Sequence, residues 1–207
     1  VQIEGEDKPF GQMAKDSAAK LGLKPALLYA SAMQEGMRGL IPTLKNKGQV
    51  DFSGDDKFPI SGYTNFGLDR FSDMYPELEK KGYLPADFAN NFKKSVETPQ
   101  TGDNRTPVNS ANFKDIDSAM QAKAAVLKNT YDHLDSMVKK DNIKLSDKAR
   151  DFFALVAFNA GESNAEKMLE SYSKKGYLKN DMFLNKQPDQ YWSGPYKDVI
   201  QRIKAAE

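Results

Sequence analysis

The 207-residue sequence contains no cysteine and a single histidine, His133. The first absence removes disulfides, thiol catalysis and cysteine-based zinc sites together, and the second leaves little room for other metal sites or for Ser-His catalysis. Net charge is almost missing as well. Its 30 basic and 29 acidic residues cancel, so no overall field points to nucleic acid or an anionic membrane as the partner. Long apolar runs are also lacking: the longest, FFALVAF from Phe152 to Phe158, falls far short of the roughly 20 residues of a membrane-spanning helix. Any chemistry therefore rests on carboxylates and hydroxyls, with no metal or cofactor expected. The chain opens at Val1 without methionine or a signal peptide, as it would had an upstream segment been removed.

What the sequence does have is helical spacing from end to end. Apolar residues recurring at three and four positions predict helices over about 10–21, 25–36, 71–81, 85–95, 116–140, 147–160, 163–175 and 187–204. Pro25 suits a first helical turn, Ser146 and Asp147 are placed to cap a helix, and glycines sit where C-terminal caps belong. KKGYL occurs twice, at 80–84 and 174–178. It reads as one helix-stop solution used twice rather than as a duplication. Two segments break the pattern: 38–66, whose β-favouring residues flank a Gly-Asp-Asp turn and suggest a small hairpin or ordered loop, and 97–110, rich in turn formers and read as a surface excursion. The expectation is a mainly α protein, one domain over 1–207 with insertions at about 38–66 and 97–110.

Three stretches carry polar groups in unexpected places. In ALLYASAMQEG, Ala26 to Gly36, helical spacing gives Glu35 the neighbours Leu27, Leu28, Ser31 and Ala32. Burying an unpaired carboxylate costs kilocalories, so a helix that needed only stability would carry Leu or Met there. Apolar neighbours, the negative end of the helix dipole and a shortage of partners would each raise its pKa, which makes a general acid. The alternative is a side chain turned to solvent at the helix end. Asn159, in RDFFALVAFNAG, repeats the anomaly on the face of Phe152, Leu155 and Val156 at the last turn before a glycine, where it either lines a cleft or caps its own helix. SGYTNFGLDRF, Ser61 to Phe71, sets Gly and aromatic residues just before a helix.

Taken in order, these stretches resemble the lysozyme-like superfamily that includes goose-type lysozymes and soluble lytic transglycosylases. Those families place a catalytic Glu in a helix-ending motif like AMQEG, then GLMQ, then a long helix, then AYNAG. Here the matching positions are Glu35, FGLD at Phe66 to Asp69, the helix through Met120, Ala124 and Leu127, and AFNAG at Ala157 to Gly161. Phe158 stands where the family has tyrosine, and Asp69 and Arg70 replace the Met-Gln pair. The interval after Glu35 is long, which suggests extra cleft wall.

The resemblance implies a lysozyme-like helical domain with a small β-hairpin or ordered loop beside the cleft. It also implies cleavage of the β-1,4 bond between N-acetylmuramic acid and N-acetylglucosamine in peptidoglycan, with Glu35 as acid. Hydrolysis needs a second carboxylate, roughly 5 Å from the first for a nucleophile or about 6.5 to 9.5 Å for a base; Asp51, Asp55, Asp56, Asp69 and Asp73 are candidates. A lytic transglycosylase needs none, because the substrate's acetamido group and 6-hydroxyl attack in turn. Six residues before the glycine of GLMQ, goose-type enzymes tend to carry Asp and lytic transglycosylases Ser; the match here is Ser61, which favours the transglycosylase. Tyr63, Phe66 and Phe158 are candidate sugar platforms, and Ser61, Gly67, Asp69 and Asn159 complete the candidate substrate-binding set. Tyr191 and Trp192 form either another platform or a packed loop, and His133 reads as solvated. The implied partner is the glycan strand of bacterial cell wall, met outside the cytoplasm or from a virion. A glycan-binding or structural module of a virion or secretion apparatus, keeping the fold without turnover, and a helical scaffold for a protein partner are the competing readings.

Overall fold

The computed structural model describes residues 7–37, 57–97, 107–186 and 193–206. Asp51, Asp55, Asp56, the Gly-Asp-Asp turn, Tyr191 and Trp192 lie outside the described residues.

Helices dominate. In chain order they are α1 (Phe10–Leu21), α2 (Pro25–Ala32), α3 (Gly62–Phe66), α4 (Phe71–Lys80), α5 (Ile116–Lys140), α6 (Asp147–Ala160), α7 (Glu162–Lys174) and α8 (Ser193–Ala206). Three short strands, β1 (Ile60–Ser61), β2 (Phe92–Glu97) and β3 (Val108–Phe113), form one antiparallel sheet in the order β1-β3-β2. Phe113 is thereby paired with Ile60 on one side and Phe92 on the other. The protein is mainly α with a small antiparallel sheet.

The chain divides into two compact units, 1–126 and 127–207, and α5 runs from the first into the second. In the first, α1 packs on α2, and α3 and α4 pack on β3. Its core is aromatic: Phe71 meets Phe92 and Phe113 edge-on, with ring centroids 5.2 and 5.3 Å apart, while Tyr75 lies 4.9 Å from Phe92. In the second unit α6 packs against α7 and α8. Phe152, the fully buried hub there, reaches Phe153 at 5.0 Å, Phe183 at 4.9 Å and Tyr196 at 5.7 Å.

Local chemistry explains most boundaries. Ser146 is the residue that caps α6, accepting from the Ala149 amide at 3.0 Å, and Asp147 begins the helix. Both copies of KKGYL close their helices alike. Tyr83 N–H donates to Leu78 O at 3.0 Å and Tyr177 N–H to Tyr172 O at 2.9 Å, each across a glycine with φ near +70°.

Two expectations need correction. Residues 85–95 do not form a helix: a single 3-10 turn, Phe88–Asn91, leads into β2. The four-residue spacing of Phe88 and Phe92 mimics a helical face. The turn and the strand send both rings into the same cluster, 6.1 Å apart, and pairing with β3 overrides the local period. Likewise the excursion at 97–110 begins and ends in paired strand, Glu97 opposite Val108, and its middle, 98–106, lies outside the described residues.

Phe71 touches four other rings of its cluster, so Phe71→Ala is expected to cost about 3 to 5 kcal/mol in urea unfolding, whereas Val96→Ala, at a position 70% exposed, should stay within about 0.5 kcal/mol.

Candidate active site

The helix carrying Glu35 does not continue regularly to its glycine. After Ala32 the backbone widens into a π-helical turn, Met33–Met37, so the α-helical arithmetic that set Glu35 above Leu27, Leu28 and Ala32 no longer fixes its direction. Such widened turns are rare and recur at functional sites. Leu28, Ser31 and Ala32 stay fully buried, while Glu35 is half-buried.

What it meets is the second motif. The turn Met33–Met37 packs against α3, which begins SGYTNFG. The Glu35 carboxyl lies directly on Gly67: a Cβ placed there would fall 2.8 Å from Oε2 and 2.9 Å from Cδ. Only a residue without a side chain admits the carboxyl so closely. Gly67 also has φ +63°, a conformation glycine adopts without strain. Gly62, five residues earlier, brings α3 against β3, since a Cβ there would come within 2.6 Å of the Phe113 ring and 3.0 Å of Ala111 O.

Polar groups pin this turn from beneath. Leu68 N–H donates to Gly62 O at 2.8 Å, Ser110 Oγ donates to Leu68 O at 3.3 Å, and Ser72 Oγ donates to Ser110 O. Lys123, on α5, has no exposed surface and its Nζ donates to Phe66 O at 2.8 Å. Lys123 escaped the reading of the sequence, although a signal exists. Its helical neighbours Ala119, Met120, Val126 and Leu127 are all buried apolar residues, so a lysine among them is the same anomaly as a glutamate on an apolar face.

Electrostatically, Glu35 has a neighbour in Asp69. Burial pushes the Asp69 carboxyl above its ordinary value, the Arg70 guanidinium and a backbone hydrogen bond pull it back, and the negative charge of Glu35 adds to the rise. Arg70 itself takes φ +64° as it opens α4, a conformation that costs a non-glycine residue about 1 kcal/mol or more. Asp73 accepts from Asn109 Nδ2 at 3.0 Å on an exposed face.

The remaining candidates divide by burial and by unit. Phe66 is fully buried: a ring without accessible surface cannot stack on a sugar, and it serves the core instead. Ser61 is 2% exposed and paired with Asn112 in the sheet, so it belongs to the floor under the turn rather than to an open surface. Tyr63 and Gly67 are half-buried. Phe158 and Asn159 belong to the second unit, half-buried in the last turn of α6. There the Ala160 carbonyl accepts from Asn164 Nδ2 at 2.7 Å, so Asn164 serves the helix end. His133 is 43% exposed with Nδ1 3.4 Å from a Glu162 carboxylate oxygen. Among the described residues no three His, Asp or Glu side chains converge as a metal would require, and no helix is long and apolar enough to cross a membrane.

No protein-family model, curated protein or solved structure matches the chain.

Two outcomes are expected. Gly67→Ala meets both the positive φ and the Glu35 carboxyl; it should cost about 1 to 2 kcal/mol in urea unfolding, and a structure of the variant should show the carboxyl displaced. For Asp69, a folded pKa above the unfolded value means that the native state holds the proton more tightly, so stability falls as pH rises from the ordinary value of 3.8 through the raised one. Asp69→Asn removes that loss. The stability difference, variant minus wild type, should be more favourable at pH 7 than at pH 3 in paired denaturant titrations.

Proposed function

We propose that this chain cleaves the β-1,4 bond between N-acetylmuramic acid and N-acetylglucosamine in peptidoglycan, as a lytic transglycosylase or muramidase of the lysozyme-like superfamily, with Glu35 as general acid and then base. One observation carries the proposal: the Glu35 carboxyl rests on Gly67. The helix-ending glutamate and the FGLD stretch, 32 positions apart in sequence, meet at the atoms the chemistry would use. A solvated surface glutamate would need neither a widened turn nor a glycine to receive it.

In this reading the protonated Glu35 carboxyl donates to the glycosidic oxygen as the bond to the anomeric carbon lengthens and an oxocarbenium-like cation develops. In the transglycosylase route the acetamido oxygen of the muramic acid stabilises that cation. Glu35, now ionised, then takes the proton of the 6-hydroxyl as that oxygen closes on the anomeric carbon, leaving a 1,6-anhydro end. The substrate sets the location: glycan strands of bacterial wall, reached outside the cytoplasm or from a virion.

A second reading has its own support. Of the two described candidates for a second carboxylate, Asp73 is engaged by Asn109 and Asp69 feels the charge of Glu35. A second carboxylate within electrostatic reach of the acid is what hydrolysis with water requires. Asp69 would then position a water, as in goose-type hydrolysis.

The test is digestion of insoluble peptidoglycan. Wild type is expected to release muropeptides, and Glu35→Gln to lower the rate by at least about a hundredfold. Equal release by both overturns Glu35 as the acid, and none by wild type overturns cleavage altogether and favours the glycan-binding or structural module. Mass spectrometry separates the two routes, since an anhydro end lacks one water relative to a reducing end.

A further inference from the structure

Beneath the Glu35 contact lies a charge that the reaction as described does not use. The Lys123 side chain is fully buried, and its ammonium donates to the Phe66 carbonyl at 2.8 Å. Desolvating an ammonium costs several kilocalories, and a helix needing only a core would place Leu or Met there. The partner carbonyl is at the C-terminal end of α3, where backbone oxygens lack helical partners and a positive charge is favoured. The next residue along the chain is Gly67. One peptide unit therefore has the ammonium on its carbonyl and, on the following Cα, the Glu35 carboxyl.

We infer that Lys123 is the positioning residue of this site: its hydrogen bond fixes the orientation of the Phe66–Gly67 peptide, and through it the place where the Glu35 carboxyl rests. The other bonds to the turn leave this job undone. Leu68 N–H to Gly62 O ties the far side of Gly67 back to the start of α3 and Ser110 Oγ to Leu68 O holds that far side, and among the bonds given above only that of Lys123 falls on the Phe66 carbonyl itself. A neutral hydrogen-bond donor would hold the carbonyl less firmly, because a charged donor makes the stronger bond. The inference rests on the reading of Glu35 as the acid, and its test separates the two.

The first measurement needs no substrate and no variant. In the full wild-type chain labelled with 15N, the Lys123 ammonium should exchange with water slowly enough to give its own resonance, with a cross-peak to Gly67. Rapid exchange and no such cross-peak overturn the inference. The second compares Lys123→Met, which keeps length and packing volume but removes the donor, with Lys128→Met on the same helix. Lys123→Met should shift the Gly67 amide and the Glu35 carboxyl carbon resonances while leaving Gly176 unmoved, and Lys128→Met should move none of them. On peptidoglycan, the rate per folded molecule should fall about ten- to a hundredfold in Lys123→Met, the loss expected when a reacting group is misplaced by a fraction of an ångström. Unshifted Glu35 and Gly67 resonances in a folded variant sink the inference whatever the activity. Shifted resonances with a wild type that releases nothing leave Lys123 in its place and sink the enzymatic reading alone.

Discussion

A carboxyl group set on a bare Cα is the constraint from which the rest of the first unit follows. For Glu35 to come so close, residue 67 must lack a side chain, its backbone must take a left-handed turn, and the short helix before it must be pressed onto β3. Gly62 answers the last need and Gly67 the other two. The π-helical turn, which holds Glu35, brings the carboxyl to that contact from the other direction. Remove any one of these and the remaining features lose their purpose.

Several local choices here run against stability. A lysine sits where a hydrocarbon would pack better, an arginine adopts a positive φ, a carboxyl is drawn from solvent beside another carboxyl, and a helix is interrupted by a wide turn. Sequences that agree with their fold at every level concentrate such exceptions where function demands them. The aromatic cluster of Phe71, Tyr75, Phe88, Phe92 and Phe113 offsets the cost next door. The second unit handles its polar groups differently. Arg150 makes two hydrogen bonds to Asp135, at 2.7 and 2.6 Å, and stacks over Tyr131 with 4.6 Å to the ring centroid. Tyr131 in turn donates to Asp151 at 2.7 Å, and burial with that carboxylate pushes the phenol well up. The Arg150–Asp135 pair is partly open to solvent, where desolvation is small, whereas the Tyr131 ring beneath the guanidinium is buried.

The long helices were legible because each has an apolar stripe and clear ends: α1, α5 and α6 begin and end on the residues that spacing and capping chemistry assign. The sheet was not. Its register depends on Phe113 pairing with residues 53 positions before it and 21 before it, information that no local window holds, and at Phe88 and Phe92 the local period misleads. At the candidate site, Glu35 and Gly67 could be singled out as candidates, whereas their contact required the π-helical turn, which has no sequence signature. Phe66 was misread because an aromatic residue beside a glycine looks the same whether it lines a groove or fills a core. Lys123 was readable by the logic already applied to Glu35, one helix further along.

The sheet has one more implication. Among the described residues β2 pairs on a single side, leaving its other row of amides and carbonyls at the rim, with Lys93 and Lys94 exposed along it and Val96 bare to water. Unprotected rims of this kind recruit strands from neighbouring molecules, and charged ammonium groups are what commonly keep copies apart. Neutralising these two adjacent lysines, by acetylation or against a polyanionic surface, would turn a guarded border into a template for association.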